Sequence, residues 1–176
     1  MNKDLAPYLF HQGTNYRAYE YMGSHITGDD VVFRVWAPNA DSVCLTGDFC
    51  GWGDPGEEMS RITEGGIWEV SLPLSRFSDG RIRYKYRVTR GGAAHLKADP
   101  YAFYSETLEK TASMICDIGG YEWDDGGWMD RRRKTMSPHD GVMYDCPISI
   151  YEMHLGSWRT RDGKSTEGGE NYLTYG

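Results

Sequence analysis

Two residues near the end of the chain have side chains that could transfer a proton. Glu152 and His154 stand two positions apart in an apolar run. On a strand their side chains would therefore lie on one face, where they could act as acid and base. A structural role for both is the alternative. A metal site would need a third ligand at suitable spacing, and the neighbouring sequence offers none.

Trp52 stands between Gly51 and Gly53, a composition typical of a turn in which an indole ring can be exposed. Sugar rings have flat C–H faces that pack on aromatic planes, so this indole could bind carbohydrate. Packing within the loop is the alternative role. Trp36 and Trp68 belong to alternating strand patterns, and we expect both in the core.

The four cysteines (Cys44, Cys50, Cys116 and Cys146) contain no C-x-x-C pair, which argues against a zinc site. An even number permits two disulfides, but we expect reduced thiols.

The cluster at residues 131–134 is basic, yet acidic residues precede it and the net charge is −7. We interpret it as a solvated loop and predict neither nucleic-acid binding nor a cofactor.

Period-two patterns indicate the strands that position these residues. The clearest is residues 81–88, where Ile82, Tyr84, Tyr86 and Val88 alternate with four cations that include Lys85. Further strands are predicted at residues 31–37, 42–46, 67–72 and 113–118, with a helical turn or two within residues 4–21. Short strands at such regular spacing predict a mainly β fold, an immunoglobulin-like β-sandwich.

Composition sets the class of protein. The 176 residues contain 39% hydrophobic, 26% charged and 14% aromatic residues, with a mean hydropathy of −0.63. These values are ordinary for a soluble domain apart from the high aromatic content, and no apolar run approaches the ~20 residues of a membrane span. The first residues lack the pattern of a signal peptide, so we expect a cytoplasmic protein without a membrane partner.

Residues 119–146 lose the alternating pattern and are interpreted as a connector. An apolar strand is then predicted at residues 148–155, followed by a polar stretch. A single strand cannot satisfy its own backbone groups. It is therefore expected either to join the sandwich or to begin a domain that the chain does not complete.

Several motifs, in order, resemble bacterial glycogen branching enzymes. They are L-F-H-Q-G-T-N-Y-R-A-Y-E at 9–20, V-W-A-P-N-A at 35–40, G-D-F-C-G-W at 47–52, G-I-W-E-V at 66–70, K-A-D-P-Y-A-F at 97–103 and Y-E-M-H-L-G-S-W-R at 151–159. The resemblance implies an entry segment (1–22), a family-48 carbohydrate-binding module (23–118), the connector (119–146), and the truncated start of a glycoside hydrolase family 13 (β/α)8 barrel (147–176).

Branching enzymes transfer chains of α-1,4 glucan to α-1,6 links during glycogen biosynthesis. The family uses two carboxyl groups about 5–5.5 Å apart at the ends of later barrel strands. None of those strands falls within the sequence, so no catalytic residue is assigned and the fragment is expected to be inactive. The resemblance also places Glu152 and His154 on the first barrel strand, away from the chemistry, which favours their structural role.

The implied glycan-binding residues are Trp52 and Lys85, which match sugar contacts in the glycan-binding β-subunits of AMP-activated protein kinase. A second platform Trp of those relatives is replaced here by the sequence A-H-L-K at 94–97, and Cys50 stands where an Asn usually caps the turn. Weak binding of α-1,4-glucan is therefore expected, with the missing catalytic barrel as the other partner.

Two alternative functions remain open at this stage. The first is a stand-alone α-glucan-binding module, which the predicted barrel strand at residues 148–155 argues against. The second is an interaction domain unrelated to carbohydrate, since fold does not fix function. The G-D-F-C-G-W turn argues against that hypothesis.

Overall fold

Helices and strands are described by a computed structural model for residues 5–77, 82–107, 110–135, 147, 149–153 and 158–160. The chain divides into two units, Met1–Tyr121 and Glu122–Gly176. In chain order the elements are α1 (Leu5–His11), β1 (Gly23–Thr27), β2 (Asp30–Trp36), β3 (Ser42–Gly47), β4 (Glu57–Glu58), β5 (Ser60–Arg61), β6 (Ile67–Pro73), β7 (Arg83–Arg90), β8 (Ala93–Lys97), β9 (Tyr104–Ser105), β10 (Ser113–Met114) and α2 (Gly126–Thr135). Short 3-10 turns lie at Ala18–Glu20, Asp48–Cys50 and Leu74–Arg76.

The strands form two antiparallel sheets in the first unit. One has the order β1-β2-β6-β5, and the other has the order β4-β3-β7-β10-β9, with β8 also paired to β7. Each sheet buries one face, because apolar and polar residues alternate along β2 and β7. The mainly β sandwich that the sequence predicted is confirmed.

The core lies between the sheets and is rich in aromatic rings. Phe33 of β2 packs against Phe77 and Tyr84, with ring centroids 5.9 and 5.0 Å apart. Aliphatic side chains from both sheets fill the remaining space: Val31, Val35, Val43, Leu45, Leu72 and Ile82. Burial of this apolar surface is the main force that holds the two sheets together.

Most predicted strands are present with small shifts of their ends. The predicted strand at 81–88 is β7, and the one at 113–118 shortens to β10. The A-H-L-K stretch, for which no strand was predicted, forms the exposed strand β8.

The second unit departs from two sequence predictions. Helix α2 lies within the segment interpreted as a connector, and it contains the basic cluster that was predicted to be a loop. The cluster is exposed, and the Arg132 guanidinium lies 5.4 Å from the centre of the Trp128 ring. In the strand predicted at 148–155, residues 149–153 carry no strand or helix, and the other three lie outside the described residues.

The prediction of two core tryptophans is half right. Trp68 is buried, but Trp36 is 53% exposed. It lies on the same face of β2 as Arg34, and that face points away from the core. The Trp36 indole donates a hydrogen bond of 2.8 Å to the Gly65 carbonyl. Its ring meets Phe10 of α1 edge to face, with centroids 5.9 Å apart.

Three cysteines, Cys44, Cys50 and Cys116, are free thiols, and Cys146 lies outside the described residues. Within the described ranges, no cluster of His, Cys, Asp and Glu has the arrangement of a metal site. The helices described there are too short or too polar to cross a bilayer.

Candidate functional site

Trp52 lies in the turn that follows β3, and its backbone has an unusual conformation. Gly51 and Trp52 have φ values of 61° and 59°, so both are left-handed. Glycine adopts this region freely, whereas a bulky side chain is strained there. A backbone hydrogen bond of 2.9 Å from Trp52 to the Gly47 carbonyl closes the turn, and the residue is 37% exposed.

The Trp52 indole is held by a carboxylate. Its Nε1–H donates to Asp48 Oδ1 at 3.0 Å. Arg83 holds the same carboxylate from the other side, with Nε at 2.9 Å from Oδ2 and Nη2 at 3.0 Å from Oδ1. The Arg83 backbone N–H also donates to Oδ2 at 3.0 Å. Bidentate pairs of this kind are shorter and stronger than hydrogen bonds between neutral groups, and they fix the geometry of both side chains.

The electrostatics follow from these contacts. Hydrogen bonds from the Arg83 side chain lower the pKa of Asp48 below its usual value, and they outweigh the opposing effect of partial burial. Arg83 also pairs with Glu106, with Nη1 at 3.3 Å from Oε1, and Glu106 accepts the Ala112 backbone N–H at 3.1 Å. Asp48 therefore stays ionised at neutral pH as one end of a network of three charges.

Two residues explain why the turn lies against the sheet. Phe49 packs on the core, with its ring centroid 5.3 Å from that of Phe77. Gly47 lets β3 approach β7 closely, because a Cβ at this position would lie 2.3 Å from the Arg83 carbonyl oxygen. Any larger residue at position 47 would push the turn away from β7.

Cys50 takes part in capping the turn, contrary to the loss of a cap that the sequence suggested. The Gly47 backbone N–H donates to its sulfur at 3.4 Å, and the thiol in turn lies 3.4 Å from the Gly47 carbonyl oxygen. Sulfur is a weak acceptor, so this cap is weaker than one made by an amide oxygen.

Lys85 lies on the outer face of β7, two residues after Arg83. Its ammonium group donates to Thr111 Oγ1 at 2.7 Å, and among the described residues it has no ion-pair partner within 4.0 Å. Its neighbour on the adjacent strand β3 is Thr46, whose hydroxyl donates to the Gly53 carbonyl at 3.2 Å. Thr46 is thus the neighbour of Lys85 on β3, and it is bonded to the loop residue that follows Trp52.

The same face ends at Arg87, which lies 3.4 Å from Asp54 in the loop after Trp52. Leu96 of β8 is the neighbour of Arg87 across the sheet and is 48% exposed. It stands in the A-H-L-K stretch that forms β8. This side of the face offers apolar surface without an aromatic ring.

Asp48, Arg83 and Thr111 are residues of the site that sequence analysis did not assign. Asp48 stands in the G-D-F-C-G-W motif, and an acid at the start of a turn is a recognisable pattern. The contacts of Arg83 and Thr111 span long stretches of chain and leave no local pattern. Glu152 is exposed and His154 lies outside the described residues, so the structural role expected for both stays a prediction.

Residues 21–102 match the model of the family "Carbohydrate-binding module 48 (Isoamylase N-terminal domain)". The matched segment runs from β1 to β8 and includes the Trp52 turn and Lys85. The first unit of this chain therefore contains a family-48 carbohydrate-binding module, and its immunoglobulin-like fold agrees with the sequence prediction.

The chain as a whole is related to bacterial branching enzymes. It is 42% identical over 161 residues to the 1,4-alpha-glucan branching enzyme GlgB 1 of Clostridium perfringens (strain 13 / Type A). This alignment covers 88% of this chain and 23% of the relative. It is 41% identical over 167 residues to GlgB of Bacillus caldolyticus, covering 92% and 24%. The resemblance found in the motifs is confirmed, and the chain spans about a quarter of the length of these curated relatives.

Among solved structures, one that is similar to part of this chain is a type I pullulanase from Bacillus subtilis str. 168 complexed with maltose. It shares 21% identity with this chain, the alignment covers 58% of this chain and 14% of that one, and the TM-score is 0.47.

Proposed function

We propose that the chain is the N-terminal part of a 1,4-α-glucan branching enzyme. Its family-48 module positions the catalytic barrel and binds α-1,4-glucan weakly through Trp52 and Lys85. The relationship to GlgB proteins over most of the chain supports the parent activity. The chain alone should leave the iodine absorbance of amylose unchanged. A shift beyond that of a buffer control, with rigorously purified chain, would contradict this expectation.

The observations that carry the binding proposal are the exposed Trp52 ring and, on the strand that holds its turn, a Lys85 ammonium group without an ion-pair partner among the described residues. The indole N–H is committed to Asp48, so the ring offers its face rather than a donor. One glucose ring packs on that face through its C–H groups, as sugars do on aromatic planes.

Lys85 supplies the polar contact. An ammonium group has three donors, and Thr111 takes one of them. The remaining donors can bind hydroxyl groups of a glucan. Because the glucan is neutral, no charged ligand group has to be removed from water on binding. A single aromatic platform and one cation give little affinity, so Kd in the high micromolar to millimolar range is expected, equivalent to roughly −4 to −5 kcal/mol.

Titration of the chain with maltoheptaose, followed by calorimetry or by indole chemical shifts, tests this proposal. Trp52→Ala should abolish measurable binding. Trp128→Ala is the matched control, because Trp128 is a more exposed indole (54%) in the second unit. Unchanged affinity in Trp52→Ala would show that Trp52 is a packing residue and that the site lies elsewhere.

A further inference from the structure

The Trp52 ring is kept in place at a cost to the backbone. Trp52 is the one non-glycine residue with a positive φ in the described part of the chain. A strained conformation of this kind persists only where surrounding contacts determine it. The contacts on Trp52 therefore identify what holds the ring.

Two hydrogen bonds hold Trp52. The backbone bond to the Gly47 carbonyl fixes the turn but leaves the side chain free to rotate. The bond from Nε1–H to Asp48 Oδ1 is the one that sets the direction of the ring. Asp48 is itself immobilised by Arg83, which contacts both carboxylate oxygens from the strand β7.

We propose that Asp48 is a positioning residue for glucan recognition: its carboxylate, clamped by Arg83, fixes the Trp52 indole with its face exposed. The choice of α-1,4-glucan as ligand rests on the proposed function. A ring fixed before binding loses less conformational entropy when a sugar packs on it, which raises the affinity of a one-platform site.

Asp48→Asn is the sharpest perturbation because it preserves shape. In the wild-type chain Oδ1 accepts from both Trp52 Nε1 and Arg83 Nη2, while Oδ2 accepts from Arg83 Nε and backbone N. Asparagine keeps one oxygen and replaces the other with a donor group. That single oxygen cannot accept all four of these hydrogen bonds. The amide NH2 group that replaces the other oxygen would face N–H donors.

The first measurement uses the indole N–H resonances of the six tryptophans in a 15N–1H spectrum of the full chain. Trp52→Phe assigns the Trp52 peak by its disappearance. In Asp48→Asn this peak should move or broaden and its hydrogen should exchange faster, while the other indole peaks remain in place. Glu69→Gln is the control, because Glu69 pairs with Arg34 on the opposite sheet and its side chain is as exposed as that of Asp48 (30% and 29%).

The second measurement is the affinity for maltoheptaose. Asp48→Asn should weaken binding by about fivefold to tenfold, as expected for loss of a charged hydrogen bond that acts through another group. In a Trp52→Phe background, which keeps an aromatic ring but lacks the Nε1–H, Asp48→Asn should have little further effect, since the hydrogen bond it disturbs is already absent. Arg83→Lys provides a second variant if Asp48→Asn fails to fold. Lysine cannot hold both carboxylate oxygens in one plane, so it should move the Trp52 peak in the same direction.

The outcomes separate this inference from the proposed function. If Trp52→Ala leaves maltoheptaose affinity unchanged, the glucan site is wrong, whereas the Trp52 indole peak still decides whether Asp48 positions the ring. If the Trp52 peak and its exchange rate are unchanged in Asp48→Asn, the positioning role is overturned. The same conclusion follows if Asp48→Asn weakens binding equally in the wild-type and Trp52→Phe backgrounds.

Discussion

The phenol of Tyr84 donates a hydrogen bond of 2.6 Å to Asp99 Oδ2, and both residues are buried. Tyr86 donates to the same oxygen at 3.1 Å, and the Tyr101 backbone N–H donates to Oδ1 at 2.8 Å. The Asp99 backbone N–H in turn donates to Ser113 Oγ at 2.8 Å. This network ties the K-A-D-P-Y-A-F segment to β7, the strand that carries Lys85 and Arg83.

Removal of the Tyr84 hydroxyl should therefore destabilise the sandwich. Tyr84→Phe deletes a donor to a buried carboxylate, and we expect the free energy of unfolding to fall by about 1–3 kcal/mol. Urea denaturation measures the change. Tyr8→Phe is the control, since Tyr8 is 60% exposed and should change stability little. Equal stability of Tyr84→Phe and the wild-type chain would mean that the hydroxyl does not stabilise Asp99.

Asp99 should also make stability depend on pH. Burial raises the pKa of Asp99 above its usual value, although its hydrogen bonds oppose the shift. Folded Asp99 therefore holds its proton more tightly than Asp99 in the unfolded chain. The stability that results is complete below the unfolded pKa of about 3.9 and is lost as pH rises through the folded pKa. Denaturation at a series of pH values should show this decrease in the wild-type chain and not in Asp99→Asn. Parallel pH profiles for the two would contradict the assignment.

Asp48 should give the opposite dependence. Its pKa is lowered, chiefly by the Arg83 side chain, so its contribution to stability is present above the unfolded pKa of about 3.9 and is lost as pH falls through the folded pKa. The loss of stability on acidification should be smaller in Asp48→Asn than in the wild-type chain. An unchanged acid limb would show that the pair with Arg83 does not persist in solution.

The left-handed backbone of Trp52 predicts an inverted ranking of two substitutions. Trp52→Gly and Trp52→Ala lose the same ring contacts, but only alanine keeps a Cβ at a φ of 59°. We expect Trp52→Gly to be more stable than Trp52→Ala by about 1 kcal/mol in chemical denaturation. If alanine is as stable as glycine at this position, the backbone carries no strain in the variants.

Lys85 should affect binding without affecting stability. Lys85→Met removes the ammonium donors but keeps the length of the side chain, and the affinity for maltoheptaose should fall by about fivefold. The free energy of unfolding should change by less than about 0.5 kcal/mol because the group is on the surface. Lys97→Met, at an exposed position of β8, makes the same charge change and should leave affinity unchanged. Similar affinities for the two variants would remove Lys85 from the site.

The sequence predicted the faces of the long strands because alternation is set by the backbone itself. It placed Tyr84 and Tyr86 inside and Lys85 outside correctly, and the same parity would have placed Trp36 outside. Helix α2 was missed because its residues are polar all round, although cations in its last turn are typical of a helix end. The contact between Asp48 and Arg83 depends on the register of β3 against β7, and no local pattern encodes that register.

The loop after β3 is attached to β7 at two points, Asp48 on Arg83 and Asp54 on Arg87, with Lys85 between them. The two attachment residues of the strand are separated by four positions, a span of about 13 Å that the loop must match. Surface loops usually tolerate insertions because closing a longer loop costs little entropy. This loop is different, because one residue added between Asp48 and Asp54 would force it to release one strand contact. Its length is therefore constrained by two contacts with one strand, and a length variant here should alter both the position of the Trp52 ring and the stability that the Asp48–Arg83 pair contributes.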